Sequence, residues 1–381
     1  MKKIYFDNSA TTPLAEELRD LILNSYLEDF ANPSSIHSLG RAVKKKINAA
    51  RSSIAAVLNA EAEEIKFLSG ATEANNTVFN LLNYDLIITS PSEHASVIEA
   101  AKASSKPIIW LNLNKEGYID LAELEKHLSE NQGKLILVSI MHANSEIATV
   151  QDLKSIGHLC KRYSAIFHSD CVQSLSKLKI DVKDFNLDLV SASAHKIHGA
   201  KGVGFLYIKR AVERMHKFRP LIVGGGQEHD FRAGTENVTG IIAFAKALEI
   251  SLRPENINKV KELRAKLWLG LKDLKGAVLN GPLDLEKRLI NNLNISFMDL
   301  KYTSEQLVLQ LDLKGVCVSS GSACTSNKKL SSEESFIESS YVLRACRIDE
   351  EISRRAIRIS LSWMNSEAEL EKMIEIIKKL V

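Results

Sequence analysis

Short apolar runs alternate along the middle of the chain with segments of amphipathic helical pattern. The apolar runs cover residues 85–89, 107–111, 134–141, 165–170 and 187–193. Helical patterns separate several of them, as at residues 121–128 and 153–163. Short apolar strands that alternate with amphipathic helices are typical of a mostly parallel sheet covered on both faces. The pattern therefore predicts an α/β fold.

One further strand and a long helix complete this region. The apolar run 203–208 follows residue 196 too closely for a crossover helix, so it is predicted to be antiparallel to its neighbour. A helical stretch then extends from about residue 240 to residue 274 and is broken near Pro254. We expect this stretch to lead out of the large sheet.

The last third of the chain carries a smaller set of elements. Strand patterns occur near residues 293–297 and 316–319, and helical patterns near 304–311 and 367–380. We therefore predict a large domain at residues 15–250. A small α+β domain is predicted from residues 1–14 and 251–381. It would carry residues 319–326, a loop whose cysteine is predicted to be catalytic.

The composition is that of an ordinary soluble globular protein, with 45% hydrophobic and 25% charged residues in a chain of 381. The net charge of +3 gives no sign of nucleic-acid binding. No apolar run approaches the roughly 18 residues of a membrane span. The five cysteines lack paired spacing, which favours a reducing cytoplasm and argues against a disulfide framework. We expect a cytoplasmic protein that binds neither membrane nor nucleic acid.

Lys196 is the residue most indicative of chemistry. It ends the run Ser193-Ala194-His195-Lys196, directly after an apolar strand pattern. A lysine at the end of a strand can leave the sheet and enter a cleft. Its amine becomes a catalyst by forming an imine with a carbonyl compound, above all with pyridoxal 5'-phosphate (PLP). Lys196 is therefore predicted to be a catalytic residue that binds PLP.

Cys324 differs from the other cysteines in its setting. It lies among Ser, Gly and Thr in residues 319–326, with two lysines shortly after it. A small, exposed and electropositive loop favours the thiolate, so Cys324 is predicted to be a nucleophile, although an incidental loop cysteine is the alternative. The other cysteines have apolar or strand-like contexts and are predicted to be buried and inert: Cys160, Cys171, Cys317 and Cys346.

Three features indicate where a phosphate and an aromatic ring would bind. Small residues at 70–76 open a helical stretch after a strand pattern, which favours a phosphate site or simply a capped helix start. Asp170 ends a strand, where it would hold a ring nitrogen protonated or cap the next turn. His94 would stack on a ring or shuttle protons, while a structural role is the alternative.

Two weaker features concern anions and metals. The segment 224–237 is glycine-rich with basic and hydroxyl groups, which indicates either a phosphate contact or a flexible turn. Arg358 alternates with apolar residues on a strand pattern, so it would bind a carboxylate or lie on the surface. His195 and His198 flank Lys196 without a third ligand at useful spacing, so no metal site is predicted.

Together, these motifs resemble the PLP-dependent cysteine desulfurases of the NifS/IscS type, which have the fold type I architecture of the aminotransferase class-V family. The resemblance runs nearly from end to end. Its motifs are residues 5–12, 32–37, 70–76, 93–94, 142–147, 170–174, 193–196, 232–235 and 319–326, together with Arg358. Each motif alone is modest, but all of them occur in the order of the family.

The resemblance implies a role for each matching residue. Lys196 would hold PLP and move the Cα proton, and Cys324 would attack the substrate sulfur. The implied cofactor contacts are Asp170 at the pyridine nitrogen, His94 on the ring, Asn144 and Gln173 at the phenolic oxygen, and Ala71, Thr72, Ser193, His195 and the partner subunit's Thr235 at the phosphate. Arg358, with Asn144, would bind the substrate carboxylate.

The resemblance also implies the reaction and its partners. L-cysteine would become L-alanine, and a persulfide on Cys324 would pass to an acceptor such as an iron–sulfur scaffold protein. The enzyme would be a homodimer. The chain departs from the family at Ser145, Ala148, Cys171 and residues 360–364, and it is longer between Cys324 and Tyr341. A selenocysteine lyase or another aminotransferase-like PLP enzyme is the nearest alternative, and a catalytically silent scaffold is a more distant one.

Overall fold

The computed structural model describes residues 3–81, 83–216, 220–321 and 340–380. The strands are β1 (Ile4–Tyr5), β2 (Ile65–Leu68), β3 (Leu86–Thr89), β4 (Ile108–Trp110), β5 (Ile136–Ser139), β6 (Ile166–Asp170), β7 (Leu189–Ser193), β8 (Gly204–Ile208), β9 (Ala277–Asn280), β10 (Asn292–Phe297), β11 (Val316–Cys317) and β12 (Ala356–Ser360).

The helices are α1 (Leu18–Glu28), α2 (Ser38–Leu58), α3 (Ala71–Leu81), α4 (Ala95–Ala103), α5 (Leu121–Glu130), α6 (Leu153–Arg162), α7 (Arg210–Met215), α8 (Val238–Ser251), α9 (Pro254–Leu271), α10 (Ser304–Leu313), α11 (Tyr341–Ala345), α12 (Glu350–Ser353) and α13 (Glu367–Leu380). Short 3₁₀ turns lie at Ala62–Glu64, Ala194–Lys196 and Leu285–Lys287. Within the described ranges, no helix combines the length and the apolar character that a membrane crossing requires.

Seven strands form the main sheet in the order β2-β8-β7-β6-β5-β3-β4. The five strands from β7 to β4 are parallel to one another, whereas β8 is antiparallel to both β7 and β2. The predicted mostly parallel α/β fold is confirmed, and so is the antiparallel orientation of the strand after Lys196.

Both faces of this sheet are covered, which explains the continuous apolar runs. Successive residues of one strand enter different hydrophobic clusters: Leu137 packs in one and Val138 in the other, and Ile166 and Phe167 divide in the same way. Side chains alternate across a strand, so a strand buried on both faces needs apolar residues at every position.

Two smaller sheets lie outside the main one. Strands β9, β10 and β12 form an antiparallel sheet, and β1 pairs in parallel with β11. A third hydrophobic cluster combines Ile4 and Phe6 with apolar residues between Leu263 and Ile377. The helix break is where it was expected, because α9 begins at Pro254, a position where proline needs no hydrogen-bond partner. The domain boundaries at residues 14 and 250 remain a prediction.

The parallel strands place their carboxyl ends at one edge of the sheet, and the segments that carry Glu93, Met141, Asp170 and Ser193 all emerge there. Gly204 brings the turn before α3 close to this edge. A Cβ atom at Gly204 would lie 2.6 Å from the Cα of Gly70 and 2.5 Å from the carbonyl oxygen of Ala192. The approach of these backbones therefore requires glycine.

Candidate active site

A cavity of about 460 Å³ opens at this edge of the sheet. This volume is within the usual range for sites that bind small molecules. The predicted site residues that line it are Ala71, Thr72, His94, Asp170, Gln173, Ser193, His195, Lys196 and Arg358. Asn144 and Thr235 do not line it, and Cys324 lies outside the described residues.

Lys196 lies in the 3₁₀ turn that follows β7. Its Nζ donates hydrogen bonds to the carbonyl oxygens of Ser9 and Ala10, each at 2.7 Å. The backbone N–H of Thr12 donates to the carbonyl oxygen of His195 at 3.0 Å. The first residues of the chain therefore lie against the turn, and they fix the amine at the wall of the cavity.

Asp170 is held by two donors. Its Oδ1 accepts a hydrogen bond from the N–H of Val172 at 3.0 Å, and its Oδ2 accepts one from Asn75 Nδ2 at 2.9 Å. Both interpretations made from the sequence therefore apply to one carboxylate, which caps the following turn and also lines the cavity. Its orientation is fixed before any ligand binds.

His94 is the N-cap of α4, and its Nδ1 accepts from the N–H of Ser96 at 3.2 Å. The same nitrogen lies 2.7 Å from Ser96 Oγ, which in turn accepts from Asn75 Nδ2 at 2.9 Å. Because Asn75 also binds Asp170, one chain of hydrogen bonds joins the histidine to the carboxylate. The roles of Asn75 and Ser96 could not be predicted from the sequence, because they depend on contacts between α3, α4 and β6.

Glu93 is a buried carboxyl group that the sequence did not mark as functional. Its Oε1 accepts from the N–H of Met141 at 2.7 Å. Burial, together with the charge of Asp170, raises the pKa of Glu93 well above its usual range. Of these two carboxyl groups, Asp170 lines the cavity and Glu93 does not.

The N-terminus of α3 forms one end of the cavity. Ala71 and Thr72 begin the helix, where backbone N–H groups and the helix dipole favour an anion. Ser193 lies beside them, because a Cβ atom on Gly70 would be 3.8 Å from its Oγ. This end of the cavity has the donors that a phosphate needs.

His195 is an uncharged residue of the same cavity. Burial, followed by the positive charges of Lys196 and Lys201, lowers the pKa of His195 to about 4. Its Nδ1 lies 3.1 Å from Thr11 Oγ1. At neutral pH the ring is neutral, so it would bind a phosphate by hydrogen bonding rather than by charge.

Arg358 is buried on β12, with 1% of its surface exposed. Its Nη2 forms an ion pair with Asp7 at 2.6 Å, and its Nη1 lies 3.4 Å from the carbonyl oxygen of Ser145. Among the described residues, its Nε has no hydrogen-bond partner. The surface alternative is therefore wrong, because this guanidinium lines the cavity and retains donor capacity.

Two predicted residues have other surroundings. Asn144 donates to the carbonyl oxygen of Ser92 at 3.0 Å, and its Oδ1 accepts from the N–H groups of Glu146 and Ile147. It thus holds the turn that carries Ser145 into the cavity. Thr235 lies in a neighbouring pocket of about 220 Å³. The predicted cofactor contacts of Asn144 and Thr235 stay predictions.

The described cysteines are all unpaired. Burial raises the pKa of the Cys171 and Cys346 thiols to about 12, and it raises that of Cys160 well above its usual range. Their predicted burial is confirmed. The prediction was wrong for Cys317, which is only partly buried because β11 is a two-residue strand. Partial burial and the charge of Asp312 still raise the pKa of this thiol.

Comparisons with known proteins identify the family. The model of the aminotransferase class-V family matches residues 4–373. A cysteine desulfurase IscS of Clostridium botulinum is 38% identical over 392 residues, covering 100% of this chain and 94% of the relative. Cysteine desulfurase 2 of Trichormus variabilis is 39% identical with the same two coverages.

Solved structures agree with this assignment. A NifS-like protein superimposes with a TM-score of 0.88 at 34% identity, covering 99% of this chain and 98% of the other. A NifS-like protein from Rickettsia africae gives a TM-score of 0.86 at 32% identity, covering 99% of each chain. The predicted resemblance is confirmed: the chain belongs to the PLP-dependent enzymes of the aminotransferase class-V family.

Proposed function

We propose that this protein is a cysteine desulfurase, which converts L-cysteine to L-alanine and transfers the sulfur to Cys324. The main support for the proposal is that Lys196, Asp170 and Arg358 line the same cavity. Lys196 would bond to the carbonyl carbon of the cofactor, and Asp170 would bind the ring of the cofactor. Arg358 would bind the carboxylate of an amino-acid substrate. Relatives that match over the whole chain are named cysteine desulfurases, which supports the choice of substrate.

PLP fits the residues that line the cavity. When bound, it supplies an electron sink for negative charge that develops at the substrate Cα. Asp170, fixed by Asn75 and Val172, would accept a hydrogen bond from the protonated ring nitrogen, and His94 would stack on the ring. Gln173 and Asn144 would bind the phenolic oxygen. The phosphate would bind at the N-terminus of α3, with donors from Ala71, Thr72, Ser193, His195 and the partner subunit's Thr235.

The reaction then uses four side chains. Arg358, with Asn144, binds the carboxylate of L-cysteine. Lys196, which would hold PLP, takes the Cα proton at its Nζ. The thiolate of Cys324 attacks the substrate Sγ, so that an S–S bond forms while the Cβ–Sγ bond breaks. The electron pair of the broken bond stays with Cβ, which gains a proton, and Lys196 returns a proton to Cα, so that the product is alanine.

The proposal is tested by incubating the PLP-loaded protein with L-cysteine and a reductant, and by measuring sulfide and alanine. Catalytic and equal amounts of both products support cysteine desulfurase. Selenocysteine turnover without cysteine turnover would favour the selenocysteine lyase alternative. Amino transfer to a keto acid without sulfide release would favour an aminotransferase.

The surface of α1 supports the proposed homodimer. Leu23, Tyr26 and Leu27 lie on α1 and Phe30 follows two residues after its end, and each of these side chains is between 57% and 73% exposed. A contiguous exposed apolar surface of this kind is typical of an interface. We propose that a second copy of the chain covers this face, which is consistent with the assignment of Thr235 to the partner subunit's site.

Charged substitutions on this face are expected to break the dimer. The double variant Leu27→Lys, Phe30→Lys should sediment as a monomer and lose most of its PLP, because each phosphate site would lack the partner subunit's Thr235. Leu309→Lys is the control, since Leu309 is 63% exposed on α10, outside this face. A double variant that sediments like the wild type would contradict the proposed interface.

The proposal also includes a protein that accepts the sulfur and a location in the cytoplasm. The sequence around Cys324 resembles the long-loop desulfurases, so we propose that the persulfide passes to an acceptor protein such as an iron–sulfur scaffold. Unpaired cysteines in the described residues are consistent with a reducing cytoplasm. Transfer of labelled sulfur from the enzyme to a purified scaffold protein would test the acceptor.

A further inference from the structure

Lys196 borders a second cavity besides the active site. This cavity, which we term the lysine chamber, has a volume of about 30 Å³. Among the described residues, Lys196 alone lines both this chamber and the active-site cavity. It lies between the turn after β6, the segment after β12, the end of α8 and the start of α9. The reactive amine is therefore carried by a residue that also faces an internal space.

A second lysine, Lys177, borders the lysine chamber. Its Nζ donates to the carbonyl oxygen of Gln173 at 3.0 Å. No aspartate or glutamate lines the lysine chamber, and no ion pair joins Lys177 to a carboxylate within the described part of the chain. Burial, together with the charge of Lys196, lowers the pKa of Lys177 to about 8. At neutral pH Lys177 thus keeps its proton and faces the chamber as an uncompensated positive charge.

His198 is the other titratable residue of the lysine chamber. Burial lowers the pKa of His198 to about 4. The hydrogen bond to the backbone of Pro13 raises this pKa, and the charge of Lys177 lowers it further. Its Nδ1 lies 3.0 Å from the carbonyl oxygen of Pro13, which indicates a proton on that nitrogen. The ring is neutral at neutral pH, so it neither adds to nor cancels the charge of Lys177.

Several polar atoms at the lysine chamber lack partners within the described residues. They are Asn8 Oδ1, Asn291 Oδ1 and Trp363 Nε1. A buried water needs about 10–15 Å³ and two or more polar partners, so the chamber has room and donors for one or two. Water in this position would satisfy both amide oxygens and connect them to Lys177.

We propose that Lys177 is a positioning residue for Lys196. Its ammonium group donates to the carbonyl oxygen of Gln173 and has no aspartate or glutamate among the described residues of the chamber, so it disfavours a second positive charge on the Lys196 nitrogen. This repulsion favours the neutral amine of Lys196, which is the form that can accept the substrate Cα proton. This inference rests on the proposed function, which requires that proton transfer.

The physical basis is repulsion between two like charges on partly buried side chains, which disfavours the charged form of both. The effect of Lys177 is present below about pH 8, where it keeps its proton, and fades above that pH. Lys196 also faces charged or titratable groups in the active-site cavity. These are Glu73, His94, Asp170, His195, Lys201 and Arg358. They are the same in every Lys177 variant, so a difference between variants reports the charge at residue 177.

The test is a pH titration of the visible absorbance of bound PLP, which reports protonation of the nitrogen that joins it to Lys196. In Lys177→Met the midpoint should rise by on the order of one pH unit, because loss of the neighbouring charge stabilises the protonated form. Lys177→Arg, which keeps the charge, should titrate like the wild type. Lys179→Met is the matched control, because Lys179 is an exposed lysine two residues away.

Two results would overturn the inference. One is an unshifted midpoint in Lys177→Met, and the other is an equal shift in Lys177→Arg, which would indicate packing rather than charge. The acid limb of the pH–activity profile should move with the midpoint. Failure of the wild type to bind PLP through Lys196 would instead refute the proposed function, and this inference with it.

Discussion

Lys196→Ala is expected to lose covalent PLP and to release sulfide at least about a thousandfold more slowly than the wild type. The amine has two tasks, attachment of the cofactor and transfer of the Cα proton. General acid–base catalysis alone contributes about 10²–10⁴-fold. In the structure this amine is fixed by the carbonyl oxygens of Ser9 and Ala10, and no backbone shift is needed to bring it to the cavity.

The measurement is borohydride reduction of the PLP-loaded protein, followed by mass spectrometry of its peptides. PLP should remain on the peptide that contains Lys196 in the wild type, and on no peptide of Lys196→Ala. Lys201→Ala is a stringent control, because Lys201 lines the same cavity and its removal should leave the label on Lys196. A label that persists in Lys196→Ala but disappears in Lys201→Ala would contradict this assignment, because it would show that PLP is attached to Lys201.

Cys324→Ser is expected to keep the yellow colour of bound PLP and to lose sulfide release by at least about a hundredfold. The hydroxyl of serine is a far weaker nucleophile toward sulfur than a thiolate, whereas the cofactor contacts involve other residues. Binding of L-cysteine should still change the PLP spectrum, since Arg358 and Lys196 are intact. The variant therefore separates substrate binding from sulfur transfer.

Cys317→Ser is the matched control for this variant. Cys317 is the most exposed of the described cysteines, but its thiol lies 3.7 Å from Asp312 and does not line the cavity. We expect it to retain sulfide release. Sulfide release at the wild-type rate from Cys324→Ser would exclude Cys324 as the sulfur acceptor.

The fold could be predicted where one stretch of sequence decides the structure. The strands of the main sheet are apolar at nearly every position because both faces are buried, and the break before α9 coincides with Pro254. Strand β9 was not predicted, because half of Ala277–Asn280 is only partly buried and the run ends in a polar residue. Strand β1 pairs with β11 from the other end of the chain, and no local pattern encodes that contact.

The same distinction holds for the candidate site. Lys196, Asp170 and the α3 N-terminus follow strands or begin helices, so their location at the sheet edge could be predicted. The bonds from Asn75 to Asp170 and Ser96 could not be predicted, since three elements distant in sequence must first pack together. The position of Lys177 beside Lys196 is likewise a tertiary property, because a lysine in a polar turn usually points into water.

The central claim is that Cys324 takes its sulfur directly from L-cysteine, in a reaction that requires PLP held by Lys196. The most direct measurement is mass spectrometry of cysteine-containing peptides after a single turnover with L-cysteine, under non-reducing conditions. The account predicts one additional sulfur atom on the Cys324 peptide of the wild type and none on that of Lys196→Ala. A wild-type protein that forms alanine while Cys324 gains no sulfur would contradict it.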